Sequence, residues 1–185
     1  MTQADVEFAT LAGGCFWCLE AVFVRVKGVV DVVSGYSNGH VAHPTYEAVC
    51  TGQTGHAEVV RVAYDPSAVT YSELLEVFFR SHDPTTLNRQ GHDVGTQYRS
   101  AIFTHNDAQA QAAQACVAAL QAGRAYGPAD IVTEVTEAQV FYPAEPEHHR
   151  YFELHPYAGY CAYVVAPKVQ AFKQAFPHLV HEVDR

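Results

Sequence analysis

The chain has 185 residues, 49% of them hydrophobic and 17% charged, which is the composition of a globular domain with a sizeable core and not of a disordered segment. Its formal net charge of -9 argues against nucleic acid or an anionic membrane as partner, since both need clustered Lys and Arg. Five cysteines, an odd number spread along the chain, fit a reducing cytoplasm in which any disulfide is catalytic and transient.

No apolar run approaches the ~18 residues of a membrane span, and the opening MTQADVEF lacks the basic and then apolar pattern of a signal peptide. Residues 6–12 are predicted as a strand ending at Gly13-Gly14. A helix follows, with Leu19, Val22, Phe23 and Val26 on one face, and it closes at Gly28. Residues 29–33 are β-branched and strand-like, and a loop rich in Gly, Ser, Asn and His covers 34–44. Residues 56–64 (HAEVVRVAY) form a second strand signal, closed by Asp65-Pro66.

Thr70 and Glu73 make a capping box, with Val69 and Leu74 placed for the hydrophobic staple. Leu75, Phe78, Phe79 and His82 then mark one helix face. Residues 83–97 read as a long loop, a length often tied to function. A strand at 99–104, a helix at 107–121, a strand at 131–141, a short helical segment at 146–154 and an irregular tail complete the chain. The order β-α-β-β-α-β, then αβ, predicts an α+β fold: a two-layer sandwich with a ferredoxin-like split βαβ core and an irregular C-terminal tail. One domain over 1–185 is the economical reading, because no repeat or linker interrupts the chain.

The chemistry centres on GGCFWCLE, residues 13–20. Cys15 stands where a glycine-marked turn opens a helix. Free N–H groups and the helix dipole stabilise an anion there, so the thiol is expected to have a lowered pKa and to act as a nucleophile. Cys18 lies one turn on and is either a disulfide partner or a small core residue. Cys50 is read as structural and Cys116 as core. Cys161, in HPYAGYCAY, is either able to swing toward another thiol or simply part-buried.

Two rivals stand beside the nucleophile reading. Structural zinc finds His40, His43 and the adjacent His148 and His149, but only one C-x2-C. A thioredoxin-like oxidoreductase also opens a helix with C-x-x-C, but its strand order differs. Glu58, in GHAEVV, is either a solvent-facing residue of an alternating strand or, if its face looks into an apolar pocket, a carboxyl with a raised pKa that serves as an acid. Tyr46 and Tyr98 flank the same region.

GGCFWCLE, HPTYEAVCTGQTGHAEVV, HDPTTLNRQGHDVGTQYRSAIF, FYPAEPEHHRYF and GYCAYVVAPKV, in this order from about residue 6 to 176, closely resemble the peptide methionine sulfoxide reductase A family. The resemblance implies reduction of methionine S-sulfoxide, free or in proteins, as a repair of oxidised protein. It implies Cys15 as nucleophile, Phe16 and Trp17 as the apolar pocket for the substrate methyl group, and Glu58 as the acid. It places Tyr46 and Tyr98 as donors to the sulfoxide oxygen and Asp93 in the same pocket. Cys161 or Cys18 would resolve the resulting sulfenic acid, and thioredoxin would reduce the disulfide. No metal or organic cofactor is expected, and the location implied is cytoplasmic. Many relatives have glycine at Cys18 and two cysteines in the tail where this chain has only Cys161.

Overall fold

The structure, a computed structural model, describes residues 5–183. The first four residues, which carry part of the reading of the N-terminus, lie outside the described residues. The elements in chain order are β1 (Glu7–Gly13), α1 (Phe16–Phe23), β2 (Val29–Ser37), α2 (Tyr46–Cys50), β3 (Ala57–Tyr64) and α3 (Tyr71–Ser81). They continue with β4 (Arg89–Gln90), β5 (Asp93–Val94), β6 (Ser100–Thr104), α4 (Asp107–Ala122), β7 (Glu134–Glu137), β8 (Phe141–Pro143), α5 (Tyr151–Leu154), a π-helical turn at Cys161–Val165 and α6 (Ala166–Ala175). The fold is α+β. No helix among the described residues is long and apolar enough to cross a membrane.

Six strands form one mixed sheet in the order β7-β6-β1-β3-β2-β8. β7 runs parallel to β6, and the other pairings are antiparallel. Alternation along the strands sorts the side chains by face. Leu11, Val60, Val62 and Ile102 join the main core with Leu19, Val22, Phe23, Leu74, Leu75 and Phe78 from α1 and α3. Ala12, Ala57, Val59, Ala101 and Phe103 form a second cluster on the other face, covered by Ala138 and Phe141. β3 is therefore buried on both sides, which is why its sequence reads as an almost unbroken apolar run.

The two outermost strands are joined by residues 138–140 alone. Four Cα steps reach about 14 Å, while five gaps between strands at ~4.8 Å would span about 24 Å in a flat sheet. The sheet must therefore curl until its two edges approach. The belt is tied at both ends: Ala138 N–H donates to the Thr104 carbonyl (2.9 Å), Gln139 N–H to Asn38 Oδ1 (3.1 Å), and Ser37 Oγ to the Val140 carbonyl (3.1 Å).

Local signals hold where they are strongest. Thr70 Oγ1 accepts from Glu73 N–H at 3.1 Å, and Glu73 Oε2 accepts from Thr70 N–H at 2.8 Å, a reciprocal cap of the kind that contributes about 1 kcal/mol. Three expectations are corrected. The strand expected over 131–141 is two strands on opposite edges, broken at the belt. The loop expected over 83–97 contains the β4–β5 hairpin and a 3-10 turn at Thr96–Tyr98. The tail is not irregular: the Cys161–Val165 turn runs into α6, and Pro167 sits in that helix's first two positions.

Candidate active site

Gly14 makes the turn from β1 into α1 at φ +92, and a Cβ there would meet Gln90 Cγ at 2.6 Å. Only glycine permits both that backbone and the approach of the β4–β5 hairpin. The next residue, Cys15, is the N-cap of α1, extended at φ -60 and ψ 127, with its carbonyl accepting from Cys18 N–H at 3.1 Å. Cys15 is only 8% exposed.

That burial corrects the expected pKa. Desolvation pushes the Cys15 thiol well above its ordinary range, the Glu58 carboxyl and Cys18 push the same way, and the Trp17 N–H opposes them only in part. The helix-start argument is local, and the tertiary burial outweighs it. In the resting protein Cys15 holds its proton.

Glu58 lies on β3 opposite Tyr36 of β2 and is 1% exposed. It is not a solvent-facing residue. Its Oε1 accepts from Phe16 N–H at 3.2 Å, while Oε2 is buried without a protein partner. Burial pushes this carboxyl up to about 8, Asp93 adds to the rise, and the Phe16 N–H counters it. Glu58 is therefore a neutral acid at pH 7, with one oxygen free to turn to a ligand.

Two phenols belong to the same neighbourhood. Tyr46 begins α2, whose N-cap Thr45 accepts from Ala48 N–H at 3.1 Å. Its own N–H donates to Glu145 Oε2 at 2.9 Å. Tyr98 closes the 3-10 turn. Both hydroxyls are pushed up, first by burial and next by Glu58, so both remain proton donors.

The aromatic pair after Cys15 is held on several sides. Phe16 is fully buried, with its ring centroid 5.8 Å from Tyr36, 6.4 Å from Tyr46 and 5.5 Å from His148. Trp17 stacks on Tyr151 with centroids 3.8 Å apart and planes 5° apart, and its Nε1–H donates to His148 Nδ1 at 3.3 Å. Tyr160 meets the indole edge-on at 5.8 Å, and its hydroxyl donates to Asp93 Oδ2 at 2.6 Å. The structure thus gathers Cys15, Phe16, Trp17, Tyr46, Glu58, Asp93 and Tyr98 around one site. Sequence reasoning does not single out Tyr36, Glu145, Tyr151 or Tyr160; for the last three the only signal is the density of aromatic, His and Glu residues over 141–160.

Of the remaining thiols, Cys18 is 2% exposed, with Sγ 3.8 Å from the Tyr160 hydroxyl. Cys161 is fully buried in the π-helical turn, so it does not hang in a mobile tail. Cys18 raises the Cys15 thiol, and Cys161 in turn raises Cys18, which places Cys18 within electrostatic reach of both. Cys50 ends α2 in an exposed position, one turn beyond Tyr46. All five cysteines are unpaired thiols. Among the described residues, Glu145, Glu147 and His148 are close enough to share a cation; His40 and His43 are not part of that group.

A buried thiol, a neutral carboxyl beside it and a ring of phenols on an α+β scaffold define a cysteine-based oxidoreductase. The family described as Peptide methionine sulfoxide reductase matches residues 7–179. The chain belongs to that family. It is 54% identical over 183 residues, covering 96% of this chain and 95% of the relative, to a protein of Ralstonia nicotianae named peptide methionine sulfoxide reductase MsrA. Among solved structures it is similar to methionine sulfoxide reductase A of Corynebacterium diphtheriae, with a TM-score of 0.79, 39% identity, and coverage of 85% of this chain and 78% of that one. It is also similar to Mxr1 from Saccharomyces cerevisiae in complex with Trx2, with a TM-score of 0.54, 30% identity, and coverage of 77% and 84%.

Proposed function

We propose that this protein reduces methionine S-sulfoxide, free or in proteins, to methionine, and that Cys15, Glu58, Tyr46 and Tyr98 carry the chemistry. The observation that supports this best is the buried, unpartnered Oε2 of a protonated Glu58 beside the Cys15 thiol. A sulfoxide oxygen leaves only after it is protonated, and a neutral carboxyl with two phenols can protonate and hydrogen-bond it.

In this reading Phe16 and Trp17 hold the substrate methyl group, and Asp93 lines the pocket. Glu58 gives its proton to the sulfoxide oxygen, the Cys15 sulfur attacks the activated sulfur, and the thiol proton returns to the carboxylate. The S–O bond and the new S–S bond then break as the oxygen passes to Cys15. The products are methionine and a Cys15 sulfenic acid, so sulfur in the substrate is reduced and sulfur in the enzyme oxidised. A second thiol then forms a disulfide and releases water: Cys161 is the main resolver, and Cys18 is either a direct second route or the thiol that accepts the disulfide and passes it to thioredoxin. Thioredoxin reduces that disulfide by exchange, a partner supported by the Mxr1 chain solved with Trx2. No metal or organic cofactor takes part. The protein is read as one cytoplasmic domain, with β1, α1, β2, β3, α3 and β6 as a split βαβ core of ferredoxin-like type.

The test is turnover of a methionine sulfoxide peptide with dithiothreitol, run on each epimer. Methionine should form from the S epimer only. Absence of turnover on both epimers would overturn the reading.

A further inference from the structure

Glu20, the last residue of GGCFWCLE, is a second buried carboxylate that the chemistry above does not use. It is 2% exposed. Its Oε2 accepts from Ser34 Oγ of β2 at 2.6 Å, and its Oε1 accepts from the backbone N–H of Arg150. A buried carboxylate tied to a backbone amide 130 residues away is costly to keep and needs a reason.

The reason lies at Arg150. This residue has a left-handed backbone, φ 56 and ψ 34, and it is the N-cap of the four-residue helix α5. A non-glycine residue is strained in that conformation and persists in it only when its surroundings hold it there. Glu20 supplies the hold. Around it, Arg25 Nη1 binds Glu153 Oε1 at 2.8 Å, and Arg150 Nε lies 3.5 Å from Glu153 Oε2. The residue that immediately follows Arg150 is Tyr151, whose ring lies flat on Trp17. The direction of the chain at Arg150 therefore decides whether that stack exists.

We propose that Glu20 is a positioning residue for the methyl-binding pocket: by fixing Arg150 it sets Tyr151 against Trp17 and so orients the indole toward substrate. This deepens the reading of the site given above and rests on it. Glu20 touches no reacting atom. Its loss should weaken the capture of sulfoxide and leave the acid and the nucleophile in place.

Trp17 is the only tryptophan in the chain, so intrinsic fluorescence reports on the stack directly. In Glu20→Ala, Trp17 emission should move to the red, and acrylamide should quench it more readily. KM for a methionine S-sulfoxide peptide should rise about tenfold, while the single-turnover rate at saturating peptide changes less than about threefold. Glu20→Gln should restore parent values, because its amide oxygen can accept from Arg150 and its amide N–H can donate to Ser34. If Glu20→Ala does not fold, Tyr151→Leu at a half-buried position carries the same expectation for KM and emission. A folded Glu20→Ala or Tyr151→Leu with parent KM and parent emission overturns the proposal, as does a fall in the single-turnover rate without a change in KM. If the parent protein itself shows no turnover, the functional reading fails instead, and the fluorescence of the variants still decides whether Glu20 sets the stack.

Discussion

The backbone N–H of Phe16 donates to Oε1 of Glu58 at 3.2 Å, so the residue after Cys15 and the carboxyl on β3 share one hydrogen bond. The bond leaves Oε2 free and fixes the acid against the start of α1. Glu58→Gln keeps this bond and loses the proton. The chemical step, followed as methionine released in a single turnover, should fall roughly a hundredfold or more. In the parent that step should decline as pH rises through about 8, where Glu58 gives up its proton, and the variant should lack this limb. Folding has the same sign. The folded value lies above the ordinary carboxyl value, so stability from Glu58 is fully present below about 4.5 and is lost as pH climbs to about 8. Glu58→Gln should therefore melt higher than the parent at pH 9.

Cys15→Ser should abolish sulfoxide reduction, whereas Cys116→Ser, on the outer helix α4, should turn over like the parent. Because burial and Glu58 hold the Cys15 thiol above its ordinary range, iodoacetamide should modify it slowly at pH 7 and faster only in strong base. In Glu58→Gln that alkylation profile should move to lower pH, since the neighbouring negative charge is gone. Peptide mass spectrometry separates Cys15 from the exposed Cys50.

Cys161→Ser should release one methionine per enzyme and then stall with thioredoxin. Disulfide formation requires Cα atoms within about 7 Å, so whichever of Cys18 and Cys161 bridges to Cys15 must come that close to it. Oxidation with one equivalent of sulfoxide, alkylation of the remaining thiols and mapping of the bridge will decide the order. If Cys161→Ser turns over normally and Cys18→Ser alone stalls, the C-x-x-C pair is the working disulfide.

His82 is a separate pH element. It is buried against Phe78, with Nδ1 2.7 Å from the Phe78 carbonyl and Nε2 2.8 Å from Ser100 Oγ. Desolvation lowers it to about 4 from the usual 6.5, so the folded state keeps it neutral. The stability it contributes is present above pH 6.5 and lost as pH falls toward 4, a change of roughly 3 kcal/mol. Urea midpoints at pH 7 and pH 4.5 should diverge for the parent and draw together for His82→Gln.

The helices and inner strands were legible because their apolar periods survive in the sequence, and the Thr70–Glu73 cap because it is local. Glu58 was ambiguous for a physical reason: on a strand buried on both faces, alternation cannot say which face is dry. Cys15 misled because a helix start argues for a thiolate, while the burial that reverses it comes from distant segments. The strand expected over 131–141 failed because its apolar positions serve two opposite sheet edges. Cys161 looked mobile in a glycine- and proline-containing tail, yet it is fully buried in a π-helical turn that continues into α6.

The belt at 138–140 has a kinetic consequence. Its bond between Gln139 and Asn38 joins positions 101 residues apart, so it closes a long loop and repays that entropy only after the strands between are in place. Closure of the ring should thus follow the folding barrier. Asn38→Ala should speed unfolding and leave the refolding rate nearly unchanged, which makes this clasp a determinant of how long the folded protein lasts and not of how fast it forms.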